Sequence, residues 1–407
     1  MGSFAIALTG LNASQDALQS VSNNLANLDT VGYKDQNTSF QTIFAQSSLL
    51  NGVGDPLQTG LGANASQTLS NFSDGTQSAT GIASNMALSG NGFFITRSAS
   101  GAIDYSRAGD FTTNTSGQLV TPSGNLVLGY PAVNGVISSQ APLQPIQINS
   151  GASLPATATT QVSMDVNLSA GAAIGATFSS TTPVYDSLGT AQQLTINYTK
   201  TGTNTWSYTA TLPGASNPQV GQGTLNFNAS GALTSPTGSI PLSAPALTDG
   251  AASLNISWNL NDSSGNPTLT QTAAASSTAS TTQNGSAAGT LSSYSVLSNG
   301  TIEGTFTNGL TNALGQVALA NFNNDQGLQQ VSGNEFAATA ASGSAQVGIA
   351  GSLGLGTITG GSVESSNVDV ATEFGKMIVA QQAYQANAKT ITTQDQILQT
   401  TIEMITS

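Results

Sequence analysis

Each end of this chain carries an apolar stripe with helical spacing, and the two stripes constrain everything between them. From Val370 the apolar or small positions fall at Phe374, Met377, Tyr384, Ala388, Ile391, Leu398, Ile402 and Ile405, a 4-3 alternation interrupted by Gln381 and Asp395. The segment covers about five heptads, or roughly 54 Å of helix at about 1.5 Å per residue. Ser366, followed three residues later by Asp369, predicts a capping box at its start, with acid at the positive end of the helix dipole. At the other end the same spacing runs through Phe4, Leu8, Leu11, Leu18 and Leu25, with Gln15 and Ser22 as polar interruptions, and stops near Thr30 and Gly32. Narrow stripes of this kind bury themselves against each other, against copies on neighbouring molecules, or against both.

Between the stripes the period changes to two. Runs such as Phe93-Phe94-Ile95, Leu126-Val127-Leu128, Leu194-Thr195-Ile196, Trp206-Ser207-Tyr208, Leu254-Asn255-Ile256 and Val317-Ala318-Leu319 are bounded by Ser-Gly, Asn-Gly and Asp-Gly turns. The expected fold class is mixed: mainly β, with terminal α-helices forming a coiled coil around two nested β-rich domains. Ser, Ala and Thr crowd residues 151–160 and 270–290, which read as crossings into and out of an inserted domain of about 120 residues.

Composition then removes most chemistries. Lys and Arg total 6 against 19 Asp and Glu, a net charge of −13, and charged residues are only 6% of the 407. Six scattered cations cannot make the patch a phosphate backbone requires, so nucleic acid is excluded as a partner. With no His and no Cys, the chain lacks the commonest general base, a thiolate nucleophile, soft metal ligands and disulfides. No cofactor is expected. Asp104 with Asp110 and Asp369 with Glu373 are the nearest acid pairs, and both read as solvated turn or helix residues; no Ser-x-x-Lys pattern occurs. Gly351-Ser-Leu-Gly354-Leu-Gly356 lacks the last glycine of a dinucleotide fingerprint. The run 261–266 (Asn-Asp-Ser-Ser-Gly-Asn) lacks the bidentate Glu of a calcium loop and reads as a hairpin turn. No apolar run is long enough for membrane insertion, and the start, with no cation before Lys34, does not look like a cleaved signal. Catalytic, cofactor and metal sites are therefore all expected to be absent. Terminal heptads on an all-β body describe either a closed helical hairpin or a self-assembling subunit, since an interface that does not close by rotation generates an open helix.

The run Asn23-Asn24-Leu25-Ala26-Asn27-Leu28-Asp29-Thr30-Val31-Gly32-Tyr33-Lys34 resembles the N-terminal signature of the bacterial flagellar axial proteins of rod and hook. Residues 367–398, including Gln381-Gln382-Ala383-Tyr384-Gln385-Ala386-Asn387, resemble the matching C-terminal signature. Gly90-Asn91-Gly92-Phe93-Phe94 resembles a turn of the same proteins, Tyr105-Ser106-Arg107-Ala108-Gly109-Asp110-Phe111 resembles one of their segments, and Pro183-Val184-Tyr185-Asp186-Ser187-Leu188-Gly189 is similar to a segment of the hook members. The chain departs from the pattern at Leu28-Asp29 and at Gly375, which weakens the first turn of its helix.

The resemblance to the flagellar hook family implies a structural subunit that polymerises into a curved tube and acts as a universal joint between motor and filament. A distal rod or related axial subunit is the alternative, and a secreted β-rich adhesin or a carboxylate hydrolase the remote one. It implies residues 1–32 with 366–407 as the helical coiled-coil domain and 33–70 with 335–365 as connectors. Residues 71–147 with 285–334 would form a discontinuous β domain, and 148–284 the inserted outer one. The implied signature residues are Asn24, Asn27, Thr30, Gly32, Tyr33 and Lys34. The implied partners are copies of the chain, the distal rod subunit, the hook cap, the hook-filament junction proteins and the flagellar type III export apparatus. Export without a cleaved signal to the extracellular flagellum is implied too, with Phe40 and Phe44 either as a motif read by the export gate or as a staple of the connector.

Overall fold

A computed structural model describes residues 2–50, 56–149, 151–262 and 264–406. Helix α1 spans Gly2–Ala26 and helix α2 spans Val370–Thr406, with strands between them, as the change of period predicts. The helices pack antiparallel, so that Gly10 lies beside Asn387 and Asn24 beside Glu373. Two compact units result: Met1–Ser150 with Tyr294–Gly304 and Asn312–Ser407, and Gly151–Ser293 with Thr305–Thr311.

The start of α2 corrects one expectation. Asp369, not Ser366, is the cap: its Oδ1 accepts the Thr372 N–H at 2.8 Å, while Ser366 Oγ accepts the Val368 N–H at 3.4 Å, outside the helix. Asp369 therefore satisfies one of the orphan donors of the first turn, and that donor holds its carboxyl below the usual range.

The seam between the helices is also offset from the apolar stripes. Its buried column is Ala7, Ser14, Val21 and Asn24 on α1, and Glu373 and Ala380 on α2. Each lies one residue before the stripe: Ala7 in place of Leu8, Ser14 in place of Gln15, Val21 in place of Ser22, Glu373 in place of Phe374, Ala380 in place of Gln381. Close approach explains the choice. At Gly10 a Cβ would stand 2.8 Å from the Asn387 side-chain amide, so a larger residue at this point would displace that amide.

In the first unit, α1 is followed by an antiparallel hairpin of β1 (Gln36–Leu50) and β2 (Pro56–Ser70), in a region expected as connector. Strands from both flanks of the insert then interleave: Phe93–Arg97 pairs with Ile103–Ser106, with Leu126–Val133 and with Thr311–Asn321. Their shared core contains Phe93, Ile95, Tyr105, Leu128, Tyr130, Ala318, Phe322 and Phe336. Its rings meet edge to face, as at Tyr105–Phe322, with centroids 4.8 Å apart. The stretch 335–365, also expected as connector, supplies four strands. Glu335–Ala337 lies beside Ile103–Ser106, Gln346–Ile349 beside Thr311–Asn321, Thr357–Gly360 beside Met86–Ser89, and Ser362–Glu364 beside Gln77–Ala79.

The second unit is a sandwich of two five-stranded sheets. One is an antiparallel meander, Thr177–Tyr185, Ala191–Gly202, Thr205–Thr211, Gln219–Phe227 and Leu233–Ser235. The other centres on Gln161–Ser169, whose strict alternation of exposed and buried residues turns Val162, Met164, Val166 and Leu168 inward. The Ser/Thr-rich stretch 270–290, expected as a crossing, is instead largely strand. Ser277–Gln283 runs antiparallel to Gln161–Ser169. It faces outward, so it carries no apolar alternation for a sequence reading to detect, and its threonines suit a pleated, half-exposed edge. Trp258 is fully buried between Tyr198 and Tyr208, with ring centroids at 6.3 and 5.3 Å. Trp258→Ala should cost about 3–5 kcal/mol, read as a lower urea midpoint followed by near-ultraviolet circular dichroism.

Candidate functional site

The signature after α1 folds into a polar junction between the two ends of the chain. The turn begins with Asn27, whose Nδ2 donates to the Asn23 carbonyl at 2.9 Å and whose Oδ1 accepts the Thr30 hydroxyl at 3.1 Å. Gly32 completes it with φ +66°, and a Cβ there would stand 2.5 Å from the Ala108 nitrogen. Only glycine meets both the left-handed backbone and the close approach. The Gly32 N–H donates to the Glu364 carbonyl at 2.7 Å, tying the turn to the last strand before α2.

Asn24, fully buried on α1, joins four groups. Its Nδ2 donates to Glu373 Oε2 at 3.0 Å and to the Gln36 carbonyl at 2.9 Å; its Oδ1 accepts the Gln36 N–H at 2.9 Å and the Tyr33 hydroxyl at 3.1 Å. An asparagine used for both donors and both acceptor sites has no spare capacity, so α1, the turn, β1 and α2 are held in one geometry. Burial, with Asp35 and Glu373 nearby, pushes the Tyr33 phenol up to about 12.

Beneath the turn lies a buried charge cluster. Lys34 Nζ donates to Glu364 Oε1 at 2.6 Å and to the Ser73 carbonyl at 2.7 Å, with both charged side chains 1% exposed. Glu364 Oε1 also accepts the Gly75 N–H at 2.7 Å. Arg107 reaches Asp74 at 3.3 Å and stands 3.9 Å from Glu364 Oε2. Burial outweighs the partners at Lys34 and lowers its pKa. Above it, Lys376 bonds Glu373 at 2.6 Å and Asn37 at 2.7 Å, and the Asn367 amide accepts the Asp35 N–H at 2.8 Å. Three of the chain's six cations, Lys34, Arg107 and Lys376, thus meet at this one place. Of the acids that hold them, Glu373, expected with Asp369 as a solvated helix residue, is instead buried against Asn24 and Lys376, and Glu364 and Asp74 carry no motif that marks them.

The helices present a second feature. Leu11, Leu18, Leu25, Met377, Ala388 and Ile391 are half-buried. Phe4, Leu8, Val370, Phe374, Tyr384, Leu398 and Ile402 are exposed; the Ile405 side chain lies outside those described. Ile378, Val379 and Ile397 are exposed as well, at 55%, 67% and 59%. A groove of about 460 Å³ runs between the helices beside β1, lined by Ala13, Ala17, Phe40, Val379, Ala380 and Ala383. Phe40 borders it at 45% exposure, and Phe44 is 62% exposed. Surface apolar groups at this density along two paired helices mark an interaction surface. In the second unit, the Asp262 carboxylate accepts the Ser264 and Asn266 N–H groups, both at 2.8 Å, the arrangement of a hairpin turn.

Four family descriptions match successive parts of the chain. "Flagella basal body rod protein" covers residues 4–34, "Flagellar hook protein FlgE/F/G D1 domain" 87–167, "Flagellar basal body protein FlaE D2 domain" 167–286 and "Flagellar basal body rod FlgEFG protein C-terminal" 359–404. The flagellar hook protein FlgE of Salmonella typhimurium is 36% identical over 418 residues, covering 99% of this chain and all of that protein. The protein of the same name from Borreliella burgdorferi is 32% identical, covering 99% of each. A crystal structure of Helicobacter pylori flagellar hook protein FlgE2 shares the fold with a TM-score of 0.53 at 15% identity, covering 69% of this chain and 98% of that one.

Two predictions follow from the junction. Lys34→Met leaves Glu364 buried with the Gly75 N–H and a guanidinium 3.9 Å away, and should cost about 3–5 kcal/mol, whereas Lys34→Met with Glu364→Leu should recover most of that loss, measured as urea midpoints. The phenol of Tyr33 is held neutral in the fold, so its contribution to stability is complete below pH 10.0 and lost as pH rises towards about 12. Tyr33→Phe should therefore flatten the fall in stability across that window.

Proposed function

This chain belongs to the flagellar hook protein FlgE family and is a structural subunit of the hook, and on that premise we propose that its paired terminal helices are the surface through which copies stack into a tube. The observation that carries this reading is the split within each stripe. Small residues close the seam inside the chain, and Phe4, Leu8, Phe374, Ile378, Val379 and Ile397 are left facing outward. Burying apolar area of that kind is worth about 25 cal/mol per Å², which no single copy realises alone. Neighbouring helix pairs supply the missing apolar partners, and the junction at Asn24 and Lys34 keeps each pair at a fixed angle to its β domain.

The tube works as a universal joint, passing torque from the rod to the filament while it bends. A neutral polar surface supports that role, because outer contacts made of interchangeable hydrogen bonds slide more readily than charge-assisted pairs. The chain leaves the cell through the flagellar type III apparatus without cleavage, and the exposure of Phe40 and Phe44 supports their use as a motif before assembly. Its further partners are the distal rod subunit, the hook cap and the hook-filament junction proteins.

Electron microscopy of basal bodies from the source organism with this gene deleted tests the reading. Complete rods and rings that end without a curved hook are expected. Truncated rods would move the chain to the rod, and intact hooked flagella would overturn both.

A further inference from the structure

The groove of about 460 Å³ beside β1 has a counterpart towards the other end of the helix pair. The register that sets Asn24 beside Glu373 and Gly10 beside Asn387 brings Gly2, where α1 begins, level with about Asp395 on α2. Helix α2 continues to Thr406, so its last turns, roughly 16 Å at about 1.5 Å per residue, project past the start of α1. At the root of this projection Ile397 and Leu398 are 59% and 58% exposed, on the lining of an open cavity of about 700 Å³ that they share with Phe4. Groove and projection cannot meet within one copy. Ala17 and Ala380 face the same groove, and Leu398 stands about 27 Å further along α2 at about 1.5 Å per residue.

A tube needs a heterologous contact, in which two different patches of the chain meet, because a patch that pairs with itself closes a dimer and stops. On the reading of the helix pair as the polymer surface, on which this inference rests, the groove takes some other part of a second copy.

We infer that it takes the projecting end of α2: Ile397 and Leu398 of one copy enter the groove between α1, α2 and β1 of the next. Size fits, since a cavity of about 150 Å³ holds a benzene ring, and a groove of about 460 Å³ admits both aliphatic side chains. Its lining is mostly apolar, with Ala13, Ala17, Ala380 and Ala383 beside Phe40 and Val379, and it matches side chains that offer only hydrocarbon. Charge fits as well. Lys376, the groove's one cation, keeps 38% of its side chain exposed although it bonds Glu373 and Asn37. The end of α2 carries Asp395 and Glu403 and no cation after Lys389. Every copy owns one groove and one projection, so the contact repeats without limit and gives the stack a direction.

With no cysteine in the chain, an engineered disulfide reports this contact without background. Tubes are isolated from cells whose only hook subunit carries Ala17→Cys with Leu398→Cys, oxidised with copper phenanthroline and run on a denaturing gel without reductant. A disulfide joins Cα atoms no more than about 7 Å apart, so two positions about 27 Å apart in one copy bridge only between copies. A ladder of covalent multimers is expected from the double variant and none from either single variant. Tubes that give no ladder overturn the inference and leave the helix pair standing as the polymer surface. Covalent dimers from Ala17→Cys alone set groove against groove and overturn it too. If the double variant forms no tubes, Ala383→Cys with Ile397→Cys decides by the same readout, and failing that the position of Leu398 in a map of the unsubstituted tube. Absence of tubes from the unsubstituted chain overturns the reading on which the inference rests.

Discussion

The contact on which the first unit depends is the buried meeting of Asn24, Lys34, Glu364 and Glu373, where segments more than 300 residues apart in sequence are bonded to one another. Hydrophobic burial alone would not fix this geometry, because apolar contacts are non-directional. Hydrogen bonds to charged groups are directional, and removing one partner leaves a costly buried remainder. Placing three of six cations at one point in an otherwise nearly uncharged chain therefore sets the angle at which the helices leave the β domain. In the second unit single charged groups serve instead, as where buried Asp186 accepts the Leu188 and Thr190 N–H groups and Lys200 donates to the Ala170 carbonyl.

That angle matters because the helices are unfinished as an isolated pair. Gly10 against Asn387, and Ala13 and Ala17 beside Ala380 and Ala383, allow close approach but bury little area. Phe4, Leu8, Phe374, Ile378, Val379 and Ile397 stay exposed, on faces that a polymer of such helices would cover. On the proposed reading, such a helix pair gains most of its stability from neighbouring copies, since short isolated helices are marginal in water.

Much of this was legible from the residues. Both helices, the β middle and the signature residues at the junction follow from period, turn chemistry and motif. The seam did not, because a heptad reading favours large apolar residues while an antiparallel crossing of this closeness selects small ones. Leu8 accordingly gives way to Ala7, whereas Glu373 is buried in place of Phe374 because Asn24 and Lys376 both bond its carboxylate. Thr357–Gly360, Ser362–Glu364 and Ser277–Gln283 were missed as strands because short or outward-facing strands carry no apolar alternation. Glu364 and Asp74 were missed because an acid's role is set by which cation the fold brings to it, and those partners lie 330 and 33 residues away.

The most direct test is a cryo-electron-microscopy map of the tube formed by this chain. The account predicts that Ala7, Gly10 and Asn387 still meet within each copy, and that Phe374, Ile378 and Ile397 are buried against helices of neighbouring copies. A tube in which those three side chains remain in solvent, or in which α1 pairs with α2 of another copy instead of its own, would contradict it.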